Sequence, residues 1–348
     1  MFEAMLDGWR AQLLARGLTV GTIKGMSRNV AAFQAYTNDY PWSWAAHDLD
    51  EYFAHRRSQE RPLGVRTLRT YGGSIRAFCS FLCDPRYRWV ALCEQLFGDV
   101  PSQIVFDWNS PHHSVDDGIE PGRRAFTRRE LQTMFDVWDD MVDREYARGS
   151  KRWLPALRDS IAFKVGYAYG LRRQELVMLE VGDFGPNPHV PAYGRFGAAQ
   201  VRFGKGTSGS GPRRRTVLTV PEFEWVVDLL KFWTSEGRAG FATADRSSSL
   251  WPSERAGAAQ MRTLDRSLAH ARELAGLPDE LTLHCLRHAY VTHLIEAGYD
   301  PLFVQQQVGH RHGSTTALYT SVSSDYKHKV IQRMLAERLR LGKEDEDG

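Results

Sequence analysis

Six residues between Arg172 and Tyr319 have the types and spacing to handle a phosphate. Arg172 follows Gly170–Leu171 at a predicted helix start, and Glu175 lies one turn on, on the same face. Lys205 sits in FGKGTSGSGPRRRTV, between two short alternating segments. His284 and Arg287 are three apart and so share a helix face. His310 follows Gly309, a residue type that ends helices, and Tyr319 comes nine residues later in GHRHGSTTALYT. A phosphodiester under attack gathers negative charge on its non-bridging oxygens. Guanidinium forks match those oxygens two at a time and stay charged at any working pH. In many nucleases Mg²⁺ supplies this stabilisation, and fixed side chains can replace it. A tyrosine hydroxyl can be the nucleophile and form a covalent phosphotyrosine. Its pKa is about 10, so a base or a strong cationic field must help it ionise. A lysine or histidine must then protonate the departing sugar oxygen.

Other chemistries find little support in the sequence. There is no GxxxxGK[ST] and no GxGxxG after a strand, so nucleotide binding has no motif. His284 and His288 in HCLRH have zinc-like spacing but lack the glutamate of HExxH and a clear third ligand. The adjacent His112 and His113 have no Cys or carboxylate at ligand spacing. No metal and no cofactor are expected. Cys79, Cys83, Cys93 and Cys285 read as buried free thiols rather than a disulfide framework.

The elements that must position these residues follow from the apolar spacing. A length of 348 residues suggests two or three domains, and 42% hydrophobic with 25% charged residues excludes disordered, fibrous and coiled-coil classes. Residues 1–100 read as four or five helices. Leu6, Trp9, Leu13 and Leu14 mark one face, Ile23, Val30, Phe33 and Tyr36 a second, and Leu68, Ile75, Phe78 and Leu82 a later one over 65–83. Thr19 is a predicted N-cap. Residues 101–125, with three prolines, two glycines and no period, read as a linker. Thr127 and Glu130 form a capping box for a helix over 128–142. Helices follow at 156–169, 171–179, 222–235, 258–275 and 284–297, with short strands at 200–203 and 216–220. The charged stretch 136–158 has no evident role, and 325–341 reads as an amphipathic helix before an acidic tail. The fold class is mainly α with a small β-hairpin, an α+β chain.

Net charge is only +3, so the placement of charge matters more than its sum. Arg56, Arg57, Arg61, Arg66, Arg69 and Arg76 fall within 21 residues with only Glu60 to offset them. Such a run is either a solvated helix face or a phosphate-contacting one. Arg213, Arg214 and Arg215 are open to the same two readings. No apolar run is long enough to span a bilayer, and the start lacks a signal-peptide layout, so an intracellular, cytoplasmic protein is expected.

The segment HCLRHAYVTHLIEAGYDPLFVQQQVGHRHGSTTALYTSV closely resembles the end of the catalytic domain of tyrosine recombinases, the phage integrase family. YGLRRQEL resembles the family's GLR-x-x-E element, and FGKG followed by RRRTVLTV resembles its lysine hairpin. The resemblance is specific over 160–325 and looser over 126–160. It implies a helical core-binding domain over 1–100, a linker over 101–125, a catalytic domain over 126–324 and a C-terminal helix and tail over 325–348. It implies a site-specific DNA recombinase. Tyr319 would be the nucleophile, Arg172 and Arg287 the phosphate clamp, and Lys205 the general acid. His284 would assist proton transfer, His310 would hydrogen-bond the phosphate, and Glu175 would orient its neighbours. Double-stranded DNA sites, a homotetramer, a Holliday junction and an accessory or excision factor would be the partners. Residues 325–341 would pack on a neighbouring copy. The hairpin turn is longer than usual for the family, and Tyr326 lacks the STT context of Tyr319. A topoisomerase IB-like or telomere-resolving relative and a non-catalytic DNA-binding protein are the alternatives.

Overall fold

The computed structural model describes residues 1–309 apart from 61, 112–123, 205–212 and 256. Arg61, His112, His113, Lys205, His310, Tyr319, Tyr326 and the segment 325–341 lie outside the described residues. The described chain falls into two compact units, residues 1–111 and 124–309.

The first unit is helical: α1 Phe2–Ala15, α2 Val20–Thr37, α3 Ala46–Ser58, α4 Val65–Cys83 and α5 Trp89–Phe97. Thr19 caps α2 by accepting from Thr22 N–H at 3.2 Å, which satisfies one of the donors a helix start leaves open. The apolar stripes meet in one aromatic core. The Trp9 and Phe78 rings are 5.2 Å apart and Phe33 and Trp44 4.9 Å, both edge to face. A buried polar pair, Asn29 Nδ2 to Ser74 Oγ at 3.1 Å, ties α2 to α4. All four cysteines are free thiols; burial pushes the Cys79 thiol up to about 12, so it is an inert core group.

Residues 101–111 lack regular structure, in keeping with their lack of period, but they are not a free linker. Ile104 and Val105 are buried in the core of the first unit. Asn109 closes the turn, its Oδ1 accepting from Phe106 N–H at 2.7 Å and its Nδ2 donating to Ile104 C=O at 2.8 Å. Two adjacent apolar residues carry no periodic signal, so this docking was invisible to pattern reading.

The second unit combines helices with a small sheet. Its elements are α6 Arg128–Ala147, α7 Trp153–Ala168, α8 Arg173–Val177, β1 Phe184–Gly185, β2 Ala198–Gly204, β3 Arg213–Leu218, α9 Trp225–Phe232, α10 Met261–Leu274, α11 Leu283–Glu296 and α12 Pro301–Val308. The Thr127–Glu130 capping box forms and opens α6. That helix runs on through much of the charged stretch 136–158, where Trp138 is buried and stacks on Phe163 of α7 at 4.2 Å. The sheet is antiparallel in the order β1-β2-β3, with Ala199 opposite Val217 and Val201 opposite Arg215. Trp233 and Trp251 fill the core, their indole N–H groups donating to Leu250 C=O at 2.8 Å and Leu176 C=O at 2.7 Å. Among the described residues, no helix is long and apolar enough to cross a membrane.

Candidate active site

The site begins where α7 stops. Gly170 takes φ +56°, and a Cβ there would lie 2.6 Å from the Tyr290 ring, so only glycine fits both the backbone and the space. The turn delivers Arg172 in extended conformation as the residue before α8. Its backbone N–H donates to Glu175 Oε2 at 2.8 Å, and its guanidinium donates to Glu175 Oε1 at 2.7 Å. A carboxylate at this place also suits the positive end of the short helix.

Helix α11 brings the second arginine. It is buried on nearly every side, which explains why its residues show no polar face. Arg287 is 1% exposed. Its guanidinium donates to Gly170 C=O at 2.8 Å and also to Val308 C=O, closing the carbonyl ends of α7 and α12. It stands 3.8 Å from Glu175 Oε2. His284, one turn earlier on α11 and partly exposed, lies with its ring 4.6 Å from that of His288.

A third guanidinium completes the cluster. Arg215 on β3 donates NH1 to Glu175 Oε1 and NH2 to Glu175 Oε2, both at 2.8 Å, and Nε to Gln307 C=O at 2.8 Å. Its side chain is 11% exposed. This corrects the reading of Arg215 as a DNA-contacting or solvated turn residue. The alternation of a strand is the physical reason: Arg215 shares the inner face with buried Val217, while Arg214 and Thr216 face outward. The same alternation was present in RRRTVLTV and could have identified Arg215. Gln307 had no comparable signal. Its Oε1 accepts from Leu218 N–H at 2.8 Å, locking α12 to β3 across 89 residues of sequence.

The electrostatics follow from this geometry. Burial alone would raise the Glu175 carboxyl. The Arg215 hydrogen bonds and charge, the Arg287 charge and the Arg172 N–H overcome it and hold the group down at about 2. Three guanidiniums surround one carboxylate, so the cluster keeps a net positive charge and suits a phosphate anion. Gly309 ends α12 at φ +64°, with its Cβ position 3.0 Å from Arg215 Cδ. The described chain thus stops beside the cluster, one residue before His310. Lys205 belongs to the turn between β2 and β3, outside the described residues.

The other expected DNA contacts lie elsewhere. Arg66, Arg69 and Arg76 line one face of α4, with Arg66 exposed and the other two partly so. Arg76 donates to Asp107 Oδ1 at 3.0 Å and Ser110 Oγ at 3.3 Å. Arg214 is exposed on β3, and Arg213 is the first residue of that strand. Among the described residues no group of three or more His, Cys, Asp or Glu is placed to hold a metal.

The chain is similar to known proteins in sequence and fold. The family model described as "Phage integrase family" matches residues 150–325. Tyrosine recombinase XerD of Pseudomonas putida is 34% identical over 166 residues, 48% of this chain and 50% of the relative. The XerD of Yersinia pestis is 33% identical over 178 residues, 51% of this chain and 54% of the relative. The chain therefore spans about half the length of these curated relatives. Two solved structures share the fold. The XerH site-specific recombinase bound to palindromic difH substrate has TM-score 0.58 at 17% identity, covering 91% of this chain and 81% of that one. A lambda integrase dimer bound to a COC' core site has TM-score 0.58 at 17% identity, covering 92% and 96%.

Proposed function

Since the chain belongs to the phage integrase family, we propose that it is a site-specific DNA recombinase that cuts and rejoins duplex DNA through a 3′-phosphotyrosyl intermediate and a Holliday junction. One observation carries the proposal: Arg172, Arg215 and Arg287 gather around the buried carboxylate of Glu175, inside the segment the family model matches.

In this reading Arg172 and Arg287 hold the scissile phosphate. Tyr319 Oη attacks phosphorus, its proton passing to a neighbouring base. The bond from phosphorus to O5′ breaks, and Lys205 gives its proton to the departing oxygen. His284 and His310 assist proton transfer and hydrogen-bond the phosphate. The phosphotyrosyl link conserves the energy of the broken bond, and a 5′-hydroxyl from a partner strand reverses the attack. The guanidiniums supply the charge that a metal supplies elsewhere, so the proposed reaction uses neither metal nor ATP. Arg66, Arg69, Arg76, Arg213 and Arg214 would contact DNA phosphates outside the cleavage point. The partners would be two duplex sites and three further copies of the chain, with an accessory factor setting direction, in the cytoplasm.

The test is strand exchange. A randomised duplex pool is sorted by binding to the chain, and two labelled duplexes carrying the selected sequence are incubated with it in EDTA. Recombinant duplexes or four-way junctions support the proposal. Tight binding without exchange or cleavage contradicts it.

A further inference from the structure

Of the two arginines that face a phosphate in the proposed mechanism, Arg287 is held by backbone carbonyls, whereas Arg172 is held by Glu175, which Arg215 grips in turn. Glu175 has two oxygens, and both are shared. Oε1 receives Arg172 at 2.7 Å and Arg215 at 2.8 Å; Oε2 receives the Arg172 backbone N–H and Arg215, each at 2.8 Å. A two-point fork fixes the plane of the carboxylate as well as its position. The direction of the Arg172 guanidinium is set by that plane. Arg215 is in turn fixed from two other sides. It pairs with Val201 across the sheet, and its Nε is held by Gln307 C=O at 2.8 Å. Its Cδ lies against Gly309, immediately before His310.

We propose that Arg215 is a positioning residue that orients Arg172 through Glu175 and ties that orientation to the β2–β3 hairpin and to the end of α12. It does not touch the scissile phosphate; it acts through the carboxylate. Strands β2 and β3 and the end of α12 thus share one anchor with the phosphate clamp. Three chain segments far apart in sequence come into register through one guanidinium. A lysine cannot replace it, because a single ammonium offers no planar fork and cannot reach Glu175 and Gln307 together in the same geometry.

This inference rests on the strand-transfer reading for its consequence, but its structural part can be read without DNA. The first measurement is the Nε–H signal of Arg172 in the NMR spectrum of the full chain, assigned by its loss in Arg172→Lys. In Arg215→Lys, which keeps the charge, that signal is expected to broaden or to exchange with solvent at least tenfold faster. The remaining backbone spectrum is expected to stay that of the folded protein. An unchanged Arg172 signal overturns the proposal, whether or not the chain cuts DNA.

The second measurement is the single-turnover cleavage rate on a nicked duplex carrying the selected site. It is run with a normal phosphate and with a neutral methylphosphonate at the cut. Arg215→Lys is expected to slow cleavage of the phosphate about 10- to 100-fold with DNA affinity changed less than threefold. On the methylphosphonate, which carries no charge for Arg172 to match, the deficit is expected to shrink at least fivefold. An equal deficit on both linkages marks a merely structural role and overturns the proposal. Arg215→Gln serves as a more severe variant, and the lysine variant decides if it fails to fold. If the wild-type chain cuts neither linkage, the strand-transfer reading fails, and the NMR result still decides the role of Arg215.

Discussion

At the scale of single residues, Glu175 is the group on which the site's charge balance turns. It is 2% exposed as a residue, beside three guanidiniums. Glu175→Gln keeps the shape but leaves those cations facing a neutral amide. Removing one partner of a buried ion cluster is expected to destabilise the chain by about 3–5 kcal/mol, seen as a lower urea midpoint. The carboxyl also predicts a pH dependence. Its folded pKa of about 2 lies below its ordinary 4.5, so its contribution is present above pH 4.5 and is lost as pH falls from 4.5 towards 2. The shift corresponds to about 3 kcal/mol at most. His293 acts in an earlier window. Burial and then the Arg128 charge hold it at about 4 against an ordinary 6.5, with Tyr167 Oη 2.7 Å from its Nδ1. Burial of the neutral ring therefore gives stability above pH 6.5 that is lost between 6.5 and 4. Urea midpoints between pH 8 and pH 3 are expected to fall in two stages. The upper stage should be absent in His293→Phe, and a single decline below pH 4.5 in the wild type would refute the assignment.

At the scale of elements, the turn after α7 controls the site more than any helix does. Gly170→Ala meets both a left-handed backbone and the Tyr290 ring, and disturbs a carbonyl that Arg287 uses. The expected loss is about 2–4 kcal/mol of stability, with a cleavage rate reduced beyond what the unfolded fraction explains. A wild-type rate in folded Gly170→Ala would show that the turn does not set the arginines. This turn was legible beforehand, because glycine followed by Leu171 and Arg172 interrupts a helical pattern. So were most helices, since their stripes are periodic and Thr19 and Thr127 cap as their sequences suggest. Helix α12 was foreseen only at its end, Gly309: its Gln305, Gln306 and Gln307 hide the apolar period, although Asp300 and Pro301 form a good helix start. The two-residue β1 was too short to show alternation. Arg172, Glu175 and Arg287 were legible as a set because motif order carried them. The alternation in RRRTVLTV turns Arg215 inward, but its partners 40 and 92 residues away are reported by no local pattern.

At the scale of the whole molecule, the net charge of +3 leaves affinity for DNA to local arrays of arginine. We propose the α4 face as one such array. Removing one arginine that neutralises a phosphate is expected to lower the slope of log affinity against log salt by about 0.9. Arg66→Ala with Arg69→Ala should therefore flatten it by about 2, measured by anisotropy between about 50 and 300 mM salt. An unchanged slope would assign these arginines to a solvated face instead. The proposed assembly is tested separately. Removing 325–348 is expected to leave binding of one chain to one site intact and to abolish the DNA-bound tetramer in sedimentation. A tetramer that survives the deletion would refute packing of this segment between copies.

The most direct test of the proposed chemistry is covalent trapping of the tyrosine. The full chain and Tyr319→Phe are incubated in EDTA with a nicked duplex carrying the selected site, and the products are run in SDS. Tyrosine attack predicts an SDS-resistant adduct at the 3′ end of the cut strand with the wild type and none with Tyr319→Phe, at equal DNA binding. An adduct that persists in Tyr319→Phe, or none from the wild type on tightly bound site DNA, would contradict it.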